Sequence, residues 1–167
     1  MRKLTAIALI CMVLLLVPLS SFAGAGKYQN TQKATDVLEE QEIIYTYLGV
    51  GSDGEDGVLI QFSEDDFDFD MRVYFHEDNE SVHLLVWDLI TFQKEDFAAV
   101  VNVCNHLNAE YRFITFHAEK SDNSVTATFD LVVRPNDDIG DIVFEAMGWM
   151  EYILLEGYPY LSAFHRE

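Results

Sequence analysis

The sequence predicts an α+β fold, in which helices cover one face of an antiparallel sheet. Residues 66–76 alternate between apolar and polar side chains for eleven positions, which is typical of a half-buried strand. Short turn-forming stretches join further strands into hairpins. Three amphipathic segments with helical spacing separate the groups of strands. Together these features predict the element order α-β-β-β-α-β-β-α.

The boundaries of the predicted elements follow from helix formers, alternation and turn residues. Gly49 is predicted to end the first helix, and Gly157 and Pro159 are predicted to end the last, which begins after Asn136. The predicted first and second helices cover 33–48 and 94–108, and the predicted strands cover 58–62, 66–76, 82–89, 111–118 and 125–133.

The first 25 residues have the layout of a secretory signal peptide. Arg2 and Lys3 precede an apolar run over 4–19, and small residues allow cleavage after Ala23 or Ala25. An uncleaved membrane anchor is the alternative, although the apolar run is short for one. We therefore expect export to the periplasm or the medium, with no membrane attachment after cleavage. Residues 26–32 are expected to be a flexible lead-in to a single domain over 33–167.

The charge and the cysteine count exclude some classes of protein. The chain has 10 Lys+Arg and 29 Asp+Glu, so its net charge is −19, and loss of Arg2 and Lys3 changes it to −21. Such acidity, without a basic patch, argues against nucleic-acid binding. Only Cys104 remains after cleavage, so an internal disulfide is excluded. The sequence contains no recognised cofactor or catalytic motif, and we predict neither a cofactor nor catalytic residues.

One stretch, together with the element order, resembles the bacterial YbjN-domain family of proposed sensory transduction regulators. Its members have a helix that ends in an N-x-L-N-like sequence, followed by a strand with an aromatic-rich start. The matching residues here are Asn105, Leu107, Asn108, Phe113 and Phe116. The resemblance implies a fold like that of type III secretion chaperones, which are small acidic dimers that hold other proteins. It therefore implies a regulatory or partner-binding role, in which a homodimer is one arrangement, and it implies no catalytic residue.

The second and third predicted strands offer a candidate interface. Pairing His76 with His83 across the 78–81 turn places Arg72 opposite Trp87 on the face away from the helices. An apolar and aromatic patch with an arginine is typical of protein interfaces. Two alternatives stay open: Arg72 only stacks on Trp87 and shields it, or the register differs by one residue. The candidate interface consists of Arg72, Tyr74, Leu85, Trp87 and Leu89.

A second hypothesis is weak Ca²⁺ binding. Asp66, Asp68, Asp70 and Glu77 have the spacing of EF-hand ligands, but Met71 stands where the loop needs glycine, so a strand is favoured. Weak binding by the three aspartates from a strand face, or by Asp53, Glu55 and Asp56 in a loop, stays open. His76 and His83 are predicted to be a surface pair rather than a metal or pH site.

The sequence thus predicts an exported, non-catalytic domain that binds or regulates another protein of unknown identity. A Ca²⁺-binding acidic module and an enzyme of unrecognised type are the alternatives. Cys104 falls on the buried stripe of its predicted helix, and we expect it to be an inert core residue.

Overall fold

The computed structural model describes residues 26–64, 67–134 and 136–166. A short 3₁₀ turn, Lys94–Asp96, precedes the second helix. The helices are α1 Gln29–Glu40, α2 Phe97–Glu110 and α3 Ile139–Ser162, and the strands are β1 Tyr45–Val50, β2 Asp56–Glu64, β3 Phe67–Phe75, β4 Ser81–Thr91, β5 Ile114–Glu119 and β6 Ser124–Val132.

The six strands form one antiparallel sheet in the order β1-β2-β3-β4-β6-β5. Its inward-facing side chains and the buried stripes of all three helices make one hydrophobic core. Strand β3 shows the alternation that the sequence predicts, because every second residue from Phe67 to Phe75 is buried. The predicted α+β class, with helices on one face of an antiparallel sheet, is confirmed.

The predicted helix over 33–48 is wrong in its second half. Helix α1 ends at Glu40, where Glu42 adopts a positive φ of 58° and the Ile43 N–H donates to the Leu38 carbonyl. The chain then pairs with β2 as strand β1. The observed order, α-β-β-β-β-α-β-β-α, therefore has one more strand than the predicted order.

The predicted flexible lead-in over 26–32 is also corrected. Helix α1 begins at Gln29, and Tyr28, Asn30 and Thr31 are buried in the fold. The Asn30 side chain donates to the Asn79 carbonyl, which ties this segment to the turn between β3 and β4. The predicted signal peptide lies outside the described residues. Within the described ranges, no helix is long and apolar enough to cross a membrane.

Helix α3 continues past the two residues that were predicted to end it. Gly157 lies inside the helix, where an added Cβ would be 3.4 Å from a ring atom of Phe116. Pro159 is tolerated in the following turn, and the helix extends far enough to bury Leu161 completely. Burial of an aliphatic side chain offsets the loss of one helical hydrogen bond at proline.

Candidate partner-binding face

The register of the β3–β4 hairpin differs from the predicted one by two residues. Arg72 lies opposite Leu85, and Tyr74 lies opposite His83. The turn is shorter than predicted, since the His76 N–H donates to the Ser81 carbonyl and Asn79 within the turn has a positive φ. Because side chains alternate with a period of two, a shift of two residues keeps every side chain on its predicted face.

The face of the sheet away from the helices is called the open face here. One row of neighbouring residues crosses it from strand to strand: Thr46, Leu59, Arg72, Leu85, Thr128 and Thr115. Leu85, in the centre of this row, is only 7% exposed. The open face therefore has a covered apolar centre beneath its polar residues.

Trp87 is the most prominent side chain of the open face, and 47% of it is exposed. The Arg72 guanidinium carbon lies 4.8 Å from the centre of the Trp87 ring, and the Tyr74 ring centre is 6.2 Å from it. The same guanidinium is 3.8 Å from an Asp70 carboxylate oxygen. Arg72 therefore stacks on Trp87, which is one of the two alternatives to an interface, while about half of the indole still faces solvent.

Leu89 does not belong to the open face. Asp88 has a positive φ of 51°, and the pairing of β4 with β6 is interrupted between Val86 and Ile90. This bulge reverses the expected alternation, so that Leu89 joins the hydrophobic core and is 6% exposed. The predicted interface therefore loses Leu89 to the core, and Leu85, although it lies on the open face, is buried rather than exposed.

Two concavities flank Trp87, and acidic side chains line both. The first has a volume of about 610 Å³ and is also lined by Arg72, Gln61 and Phe62. The second has a volume of about 390 Å³ and extends toward the start of β6. The carboxylates that line the two concavities are Asp68 and Asp70 in the first, Asp88 in both, and Glu119 and Asp122 in the second.

The proposed Ca²⁺ ligands are placed apart or have protein partners. Asp68 and Asp70 lie on the open face, and Asp66 lies outside the described residues. In the loop, Asp53 accepts from the Glu55 N–H, and Asp56 is fully buried. Within the part of the chain that the structure describes, no three His, Cys, Asp or Glu side chains form a group that could hold a metal.

The two histidines of the hairpin contact different carboxylates. The His76 imidazole is 2.8 Å from Glu55, and His83 is 3.6 Å from Asp130. Neither residue is opposite the other in the sheet, because His83 pairs with Tyr74. The predicted pairing of His76 with His83 is therefore wrong.

The YbjN-like stretch joins helix α2 to the edge strand β5 of the sheet. The Asn108 amide donates to the Phe116 carbonyl at 3.0 Å and accepts from the Phe116 N–H at 2.7 Å. Strand β5 is an edge strand, so Asn108 occupies backbone groups that another strand could otherwise pair with. Leu107 and Phe116 are buried, whereas Asn105 is exposed.

Two further residues near this edge differ in exposure. Phe113 precedes β5 with a positive φ of 75°, is 72% exposed, and stacks on Phe129 at a ring distance of 5.9 Å.

Cys104 is buried in α2, and burial raises the pKa of its thiol to about 11. A thiol with such a pKa is a poor nucleophile, in agreement with the expected core role.

Sequence reasoning missed a second aromatic surface, on the outer side of α3. Trp149, Tyr152 and Tyr160 are more than half exposed, and the Trp149 and Tyr152 rings meet edge to face at 6.2 Å. A concavity of about 680 Å³ lies beside Trp149 and Tyr152. Their three-residue spacing, on the helix side opposite the buried stripe, is a signal that the sequence contains.

Comparison with known proteins gives a fold and no family assignment. No family model matches the chain, and no curated protein matches it. A crystal structure of YbjN from E. coli, proposed to be a transcription regulator, superposes with a TM-score of 0.50 and 10% sequence identity. The match covers 76% of this chain and 90% of the YbjN chain. The predicted resemblance to YbjN is confirmed at the level of the fold.

Proposed function

We propose that this protein is an exported, non-catalytic domain that holds a basic segment of another protein on its open sheet face. The observation that carries this proposal is the position of Trp87, half exposed beneath the Arg72 guanidinium and between two concavities lined by carboxylates. An aromatic side chain and an arginine at the centre of a surface are typical of binding hot spots.

The surrounding charges favour a basic partner. Five carboxylates line the two concavities, whereas the cation that lines them is Arg72, which already contacts Asp70. Lysine and arginine side chains of a bound segment would be attracted to these carboxylates, and an apolar side chain would cover the exposed part of the indole. The net charge, −19 for the full chain and −21 after loss of Arg2 and Lys3, adds long-range attraction for the same class of partner.

The YbjN-like fold agrees with binding rather than catalysis. The YbjN protein of E. coli is itself proposed to regulate transcription. Such a role relies on binding of another molecule, and the proposal extends only this general property to the present chain. The concavities beside Trp87 are open surface depressions, whereas enzyme sites bury most of a ligand.

The test compares two exposed tryptophans on opposite sides of the molecule. Trp87→Glu removes the exposed indole at the centre of the open face and leaves a hydrated side chain that cannot pack against an apolar residue, whereas Trp149→Glu makes the same change on α3. The full chain and both variants are produced in an exporting bacterium, and their bound proteins are cross-linked and quantified by mass spectrometry. We expect Trp87→Glu to reduce capture of basic proteins at least about tenfold, and Trp149→Glu to leave it unchanged.

Binding should also weaken as salt increases, since charge attraction between exposed groups is screened. Equal capture by both variants would contradict the proposal, as would binding that does not depend on salt.

Sedimentation of the same samples tests the homodimer. If a second copy covers the open face, Trp87→Glu is monomeric, Trp149→Glu is dimeric, and the proposal of a basic partner is wrong.

A further inference from the structure

A buried carboxylate holds the start of the described chain. Asp56, at the start of β2, is fully buried. One of its oxygens accepts from the Lys27 N–H at 2.6 Å and from the Tyr28 N–H at 3.1 Å. The other accepts from the Tyr47 hydroxyl at 2.7 Å. Burial, and then this hydrogen bond, raise the pKa of Tyr47 to about 12.

The three donors to Asp56 are neutral. Among the residues that the structure describes, no lysine, arginine or histidine side chain forms an ion pair with this carboxylate within 4.0 Å. A buried ionised carboxylate without a positive partner is costly, since hydrogen bonds replace only part of its hydration. An ionised carboxylate can accept about four hydrogen bonds, so one acceptor position is left.

Gly26, directly before the two amide donors, is enclosed by the first turn of α1. A Cβ at this position would lie 2.6 Å from the Thr31 Cβ and 2.8 Å from the Gln32 nitrogen, so a larger residue does not fit. The Gln32 side chain donates to the Gly26 carbonyl at 2.8 Å.

Thr31 supplies an independent indication of a missing hydrogen-bond partner. It is fully buried, and its hydroxyl has no hydrogen-bond partner among the described residues. Buried hydroxyl groups almost always have a partner. The unpaired hydroxyl lies on the residue that encloses Gly26.

Covalent geometry places the Gly26 nitrogen near the Asp56 carboxylate, and Thr31 packs against Gly26. Successive backbone nitrogens are about 3–3.6 Å apart. Since the Lys27 nitrogen is 2.6 Å from Asp56, the Gly26 nitrogen lies within about 6 Å of that carboxylate. We propose that a signal peptidase cuts the chain between Ala25 and Gly26, and that Asp56 and Thr31 bind the α-ammonium group that the cut creates.

The chemistry of the step is a simple hydrolysis. One water molecule is consumed and the Ala25–Gly26 peptide bond breaks. The carbonyl of Ala25 becomes a carboxylate, and the nitrogen of Gly26 becomes an amine that is protonated at neutral pH. The uncut amide offers one N–H, whereas the ammonium offers three and carries the positive charge that Asp56 lacks. Cleavage after Ala23, the other site that the sequence allows, would leave Gly26 as an amide.

The first experiment identifies the new terminus. The full chain is produced in an exporting bacterium, and the intact mass of the exported product is measured together with its N-terminal peptide. A product that begins at Gly26 is expected. A product that begins at Gly24, or one that keeps residues 1–25, overturns the proposal. Neither outcome depends on the open face, so this test is independent of the proposed function.

The second experiment measures how well the fold protects the terminal amine. The processed protein is acylated near neutral pH, and modification of the Gly26 amine is followed by mass spectrometry with and without urea. We expect the folded protein to react at least about tenfold more slowly, because the ammonium is bound inside the fold. Equal rates overturn the binding of the terminus, whatever the cleavage site.

A pair of variants assigns the protection to Asp56. Asp56→Asn keeps the size of the side chain and removes its charge, and we expect it to restore fast acylation. Asp70→Asn makes the same change at a carboxylate of the open face and should leave the rate unchanged. If Asp56→Asn does not fold, the comparison with and without urea in the unaltered protein still decides whether the fold binds the terminal amine.

Discussion

The two faces of the sheet use the same strands for different tasks. On β3, Phe75 points into the helix-covered face and is fully buried, whereas its neighbour Tyr74 lies half-buried on the open face. The covered face is mainly apolar, with Asp56 buried at one end of β2, and the open face combines Trp87 and Arg72 with several carboxylates. Alternation along a strand thus lets stability come mainly from one face and leaves the other free for recognition.

The largest expected effect separates the two faces by stability. Phe75→Ala should lower the free energy of unfolding by about 3–5 kcal/mol, since it leaves a cavity in the core. Tyr74→Ala should lower the free energy of unfolding by about 1 kcal/mol or less, because the Tyr74 side chain is already partly exposed to solvent. Urea denaturation followed by circular dichroism measures both values. Similar losses for the two variants would show that the open face is also part of the core.

An intermediate effect is expected where the helix layer meets the edge of the sheet. Asn108→Ala removes two hydrogen bonds to the Phe116 backbone and should cost about 1–3 kcal/mol of unfolding free energy. Asn105→Ala, at an exposed position of the same helix, should change it by less than about 0.5 kcal/mol. Chemical denaturation distinguishes the two. Equal effects would mean that Asn108 does not stabilise strand β5.

The smallest effect concerns the open face itself. Arg72→Ala should reduce the free energy of unfolding by about 0.5–1 kcal/mol, the usual strength of a cation–π contact at an exposed site. It should also expose Trp87 further and shift its fluorescence to longer wavelength. Measurement in a Trp149→Phe background isolates the signal of Trp87. An unchanged spectrum would indicate that the guanidinium does not cover the indole in solution.

In the β3–β4 hairpin, the local sequence pattern predicts which face each side chain occupies but not the register of the two strands. The alternation over 66–76 predicts correctly which β3 side chains face the helices, because burial of every second residue needs no knowledge of the partner strand. The register depends on the conformation of the turn at Asn79, and the pairing predicted from the sequence differs from the observed one by two residues. The error kept Arg72 and Trp87 on the open face only because the shift was even.

Two other errors share one cause. The apolar residues of the segment around Tyr45 and Tyr47 are compatible with a helix as well as with a strand. Hydrogen bonding to β2 makes this segment a strand. Strict alternation along β4 predicts Leu89 on the open face, but the bulge at Asp88 turns its side chain into the core. In both cases a neighbouring strand determines the local structure, and a pattern read along one segment does not contain that neighbour.

The sequence by itself determined the α+β class, the covered face of β3, the core position of Cys104, and the placement of Arg72 and Trp87 on the opposite face. These features follow from side-chain periodicity, which expresses the local preference of each segment for water or for the core. Only the tertiary structure decided the extra strand, the register, the bulge, the two-bond contact of Asn108 with Phe116, and the enclosure of Gly26 near Asp56. Each of those joins residues that are distant in sequence or sets a backbone angle, and their energies depend on geometry that composition and spacing do not specify.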